Sequence, residues 1–97
     1  EQVQEVVLAF LQDAEGIMSD LNNAGQQGYP SDMIYRPAHS LKSVSANVGA
    51  VKLSEMALTL EKQAKSDTLI DAEIQISAIT KELESVKAAL KQNGRLP

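Results

Sequence analysis

His39 is the single histidine of the sequence, and there is no cysteine. An unperturbed imidazole titrates at about 6.5, so a large part of it is neutral, and therefore nucleophilic, near neutral pH. Lys42 follows one helical turn later, and Ser43 and Ala46 continue along the same line. A lysine there would act on an imidazolium as a like charge and favour the neutral ring. It would also face a transferred phosphoryl group of charge about −2, with an attraction of about 1.4 kcal/mol at roughly 6 Å in water and a few times that where a partner excludes solvent. Taken singly, an exposed histidine, a solvated helix lysine and small surface residues are unremarkable. Together, a nucleophile, a cation one turn away and a shelf of short side chains suit a partner that docks closely and brings a phosphoryl group.

The same inventory excludes other chemistry. One histidine without cysteine cannot build an ordinary His/Cys metal site, and the carboxylates show no ligand spacing. His39 with Ser43 lacks an elbow and a third orienting residue, which argues against a hydrolase. No glycine-rich phosphate-binding loop is present, so autonomous kinase activity is not expected, nor is any cofactor.

The segment that carries His39 has two faces when about 100° of rotation is assigned to each residue. Met33, Ile34, Pro37, Ala38, Leu41, Val44, Ser45 and Val48 fall opposite His39 and form the expected core face. Tyr35, Arg36, Lys42, Ser43, Ala46 and, were the helix to continue, Ala50 fall on the side of His39. Pro37 cannot donate to the carbonyl four residues back, so the helix is either kinked there or has its regular part beginning at Pro37. Gly49, at the end, is either a positive-φ stop or a second low point of a docking surface.

Three further segments show the three-and-four spacing of amphipathic helices. Val3, Val6, Val7, Phe10, Leu11, Ala14, Ile17, Met18 and Leu21 predict a helix over about 3–21, broken by the Asn-, Gly- and Pro-containing stretch from Asn22 to Pro30. Ser31 is a plausible N-cap for the second helix, over about 31–48. Val51, Leu53, Met56, Ala57, Leu60 and Ala64 predict a third over 50–66. Ala72, Ile76, Ile79, Leu83, Val86 and Leu90 predict a fourth over 71–92, with Ile74 off the stripe. Four such stripes bury one another most simply in an all-α, antiparallel four-helix bundle, one domain over 1–97.

Composition agrees. Aromatic residues are only 3% of the chain, which leaves the core to aliphatic side chains. A net charge of −4 offers no basic surface for nucleic acid or anionic lipid. No apolar run approaches the roughly 20 residues that span a bilayer, and the first residues lack the basic start of a signal peptide. A chain beginning with Glu1 is expected to be a domain cut from a longer protein.

His39-Ser40-Leu41-Lys42-Ser43, then Ser45-Ala46-Asn47-Val48-Gly49-Ala50 and Leu53, resembles the signature of histidine-phosphotransfer domains of multistep phosphorelays, and looks most like those at the C-terminal end of hybrid sensor kinases. The resemblance implies a four-helix bundle with the phosphoacceptor, His39, exposed midway along its second helix. It implies that Lys42 neutralises the phosphoryl group and that Ser43 and Gly49 keep the docking surface low, with Tyr35, Arg36, Ala46 and Ala50 beside them. The partners it implies are receiver domains of a hybrid sensor kinase and of a response regulator, which supply the aspartate and Mg²⁺. A cytoplasmic location, as the cytoplasmic end of a membrane-anchored sensor or otherwise, and a monomeric isolated domain are expected. The alternative is a non-catalytic adaptor bundle whose His39 face merely binds a protein. A histidine-kinase dimerisation domain would need an adjoining ATP-binding domain, for which the chain has no room.

Overall fold

Val7, Phe10, Ala14, Ile17, Leu21 and Ala24 recur every three or four residues and are all buried on one side of a single long helix, α1 (Gln2–Gln26). The computed structural model, which describes residues 2–94, continues with α2 (Ser31–Asn47), α3 (Val51–Lys65) and α4 (Ala72–Gln92). The connections at 27–30, 48–50 and 66–71 are short, so successive helices run antiparallel. α2 packs most extensively, against α3 and α1, while α4 lies against α3 and touches α1. At about 1.5 Å per residue the 25 residues of α1 account for the 40 Å long axis of the bundle.

Apart from Phe10 the buried core is aliphatic, as the composition requires. Ile34, Ala38 and Leu41 of α2 meet Leu53, Ala57 and Leu60 of α3, all fully buried, with Ile76, Ile79 and Leu83 closing it from α4. Truncating one of the large ones to alanine costs about 2–5 kcal/mol. Several expectations need correction. Val51 is 64% exposed, because it opens α3 at the rim of the bundle instead of on its stripe. Val6 and Met33 are also exposed, and Ile74 lies outside the core as its register indicates. The side chain of Val3 lies outside the described residues.

The largest departure is at the end of α1, which passes through Asn22 and Gly25 to Gln26. Ala24 falls on the core stripe and is fully buried, and the Tyr29 ring folds back over Gly25, where a Cβ would come within 3.1 Å of it. Burial of that last turn overrides the weak helix preference of its residues. The helix closes one turn later with Gly28 in the left-handed region and Tyr29 N–H donating to Ala24 O at 2.9 Å.

Ser31 does not cap α2. It is the first helical residue, preceded by Pro30, and its hydroxyl donates instead to Asp67 Oδ1 at 2.7 Å, tying the start of α2 to the end of α3. α2 runs without interruption through Pro37, which is buried, so its regular part does not begin there.

Candidate functional site

Pro37, Ala38 and Leu41 turn one side of α2 into the core, and His39 between them emerges on the other, with its side chain 54% exposed. Its Nδ1 lies 2.6 Å from Oε2 of Glu61, which stands on α3. Lys42 Nζ lies 2.8 Å from the other oxygen of the same carboxylate, as an ion pair without good hydrogen-bond direction. Glu61 is therefore a buried carboxylate, 10% exposed, held between two groups of α2. Ser54 of α3 donates to the backbone carbonyl of Lys42 at 3.0 Å and fixes the two helices in register there.

Burial raises the Glu61 carboxyl, but the contacts and charges of Lys42 and His39 outweigh it and hold the group below its ordinary value of 4.5. An ionised carboxylate only accepts hydrogen bonds, so the imidazole nitrogen facing it carries the hydrogen. In the neutral ring the lone pair then sits on Nε2, at the edge turned away from Glu61. Tyr35 lies nearly parallel to the imidazole, with ring centroids 6.1 Å apart and planes 18° apart.

Beside His39 is an open hollow of about 550 Å³ between α1 and α2, lined by His39, Ser40 and Ser43 on one wall and by Gln12, Asp13, Gly16 and Asp20 on the other. Of the residues singled out in the sequence, the structure gathers His39 and Lys42 around Glu61, stacks Tyr35 beside the His39 ring and places Ser43 with His39 in the hollow. Arg36 and Ala46 are exposed nearby on α2. Gly49 and Ala50 line a different concavity, against Val86, Ala89 and Leu90 of α4. Gly49 has φ +76°, and Gly49 N–H and Ala50 N–H donate to Ala46 O and Ser45 O, which makes Gly49 the left-handed stop of α2.

Glu61 is the residue the sequence reading missed, although its register held a signal. It stands four residues after Ala57 and three before Ala64, both buried, so it occupies a core position of α3. A carboxylate there needs a partner. Among the described residues no three His, Cys, Asp or Glu side chains gather as a metal site would require, and no helix is long and apolar enough to cross a membrane.

The molecule is thus an all-helical bundle that displays a single, half-exposed histidine on its second helix, with one ring nitrogen against a buried carboxylate of the third. The family model of the Hpt domain matches residues 5–89, and the chain belongs to that family, the histidine-phosphotransfer domains of two-component signalling. Comparison with curated proteins and with solved structures gives no significant match.

Proposed function

We propose that His39 accepts a phosphoryl group from the aspartyl phosphate of one receiver domain and passes it to the aspartate of another, the first in a hybrid sensor kinase and the second in a response regulator. The observation that carries this reading is the 2.6 Å contact between His39 Nδ1 and Glu61, which leaves Nε2 as the free nucleophile on an exposed ring. In the forward step the Nε2–P bond forms as the P–O bond of the acyl phosphate breaks, and the receiver carboxylate leaves. The ring gains positive charge while Nδ1 keeps its hydrogen, and the Glu61 carboxylate stabilises that charge. In the onward step the same charge makes the imidazole a better leaving group.

Lys42 keeps Glu61 ionised before transfer, and its flexible arm lets the ammonium turn to the phosphoryl group once that charge is in place. Mg²⁺ belongs to the receiver, and this chain needs no cofactor of its own. The site of action is the cytoplasm, where receivers and their kinases work.

The test is transfer of label from a phosphorylated receiver. Wild type should become labelled, His39→Gln should not, and the chain with ATP and Mg²⁺ alone should stay unlabelled. Label retained in His39→Gln would refute the assignment.

A further inference from the structure

The hollow beside His39 has a second wall that the phosphotransfer chemistry does not use. On α1, Gly16 lies at an exposed position in the middle of a 25-residue helix, with no atom within 4 Å of where its Cβ would stand and no positive φ. Glycine there weakens the helix relative to alanine, and neither packing nor backbone conformation requires it. Asp13 and Asp20 flank it on the same wall, about 10 Å apart along the helix. Neither makes an ion pair among the described residues. Because Nδ1 is turned to Glu61 on α3, Nε2 faces away from α3, and the hollow with its acidic wall is what borders the ring on the α1 side.

The hollow shares Asp13 and Val44 with a second, more apolar concavity that runs on between α1 and α2 to Val6 and Ala9, where Val6 is 45% exposed. Nucleophile, acidic rim and apolar end thus form one continuous groove. Such a surface suits a protein partner, with apolar contact at one end and charge at the rim. The acidic rim also repels an incoming acyl phosphate unless the partner brings positive charge with it.

We propose that the α1 wall, Gln12, Asp13, Gly16 and Asp20, selects the receiver: it admits one that carries cationic side chains beside its phosphorylated aspartate, and Gly16 is the low point over which that receiver's backbone passes. The proposal rests on His39 being the phosphoacceptor.

Two measurements separate the claims. Phosphoramidate, a small phosphodonor that needs no docking, should label wild type and not His39→Gln; absence of label from wild type would remove the phosphoacceptor reading and this one with it. Receivers that phosphorylate the wild-type chain are then compared, some with a basic and some with an acidic face beside the aspartate. Gly16→Gln, which improves helix propensity, should melt no lower than wild type and still take label from phosphoramidate, yet accept it from a receiver at least tenfold more slowly. Salt should slow transfer between wild type and basic-faced receivers, whereas D13K/D20K should lose at least tenfold with those receivers, gain with the acidic-faced ones and show a salt dependence that is flat or reversed. If both variants take label from every receiver at the wild-type rate while phosphoramidate labels all of them except His39→Gln, the phosphoacceptor stands and the selecting role of α1 is overturned.

Discussion

Glu61 Oε2 and His39 Nδ1, 22 residues apart in sequence, meet at 2.6 Å across the α2–α3 interface. The contact fixes which ring nitrogen is free, and it does so with a charge. Glu61→Gln keeps the shape and can still accept from Nδ1–H, but it cannot balance positive charge that develops on the ring. A charge-assisted hydrogen bond exceeds a neutral one by about 1 kcal/mol or more. Receiver-to-His39 transfer should therefore fall about tenfold in Glu61→Gln with the helical fold intact. Nitrogen chemical shifts of His39 should at the same time report a more mixed population of the two neutral tautomers. Transfer at the wild-type rate would remove Glu61 from the chemistry.

The same carboxylate makes stability depend on pH in a definite direction. Although burial works against it, Glu61 is held below its ordinary value of 4.5 by Lys42 and His39, so the folded state favours the ionised form more than the unfolded chain does. That contribution is complete above about pH 4.5 and is lost as the pH falls through the lowered value. Wild type should thus be more stable than Glu61→Gln near neutrality, and the gap should close on acidification toward pH 3. Urea unfolding of both proteins from pH 7 to pH 3 checks this. A gap that stayed constant over the range would contradict the lowered carboxyl.

Lys42 is more than the surface cation its sequence position suggests, because its ammonium is the partner of a buried carboxylate. Removing one member of such a pair leaves the other desolvated without compensation, at a cost of about 1–3 kcal/mol. Partial exposure of Lys42 lets water take up some of that cost. Lys42→Ala should unfold about 1 kcal/mol more easily and transfer roughly tenfold more slowly. In the Glu61→Gln background the same substitution should cost much less. Equal destabilisation by Lys42→Ala in both backgrounds would show that the two groups are not coupled.

The bundle was legible because each helix carries an apolar stripe that needs no knowledge of the others, and His39 was legible because it stands off its stripe. Glu61 was not read because its meaning lies in a contact between helices: nothing within α3 says that Lys42 and His39 will face it. The end of α1 was misplaced for a related reason. Asn22, Asn23 and Gly25 are poor helix residues taken alone, and the burial of Ala24 together with the return of Tyr29 over Gly25 keeps them helical. Gly49 stood open between two uses until its φ of +76° showed it to be a helix stop.

That last distinction gives a pair of variants with opposite signatures. Gly49→Ala places a Cβ in the left-handed region at a position where space is open, so the penalty is conformational and should be about 1 kcal/mol of stability. Gly49 lines a concavity against α4 and not the hollow that contains His39, so transfer from the receiver should be nearly unchanged under conditions where the variant is folded. Ser43→Tyr should behave in reverse. Ser43 is exposed on the middle of α2, where substitutions rarely shift stability by more than about 0.5 kcal/mol, yet it lines the hollow with His39. A phenol ring there would stand between the imidazole and any receiver that approaches over this face, and transfer should be blocked. Thermal unfolding and receiver-dependent labelling of the two variants, measured side by side, resolve the roles. Normal transfer to Ser43→Tyr would mean that the receiver reaches Nε2 from another side.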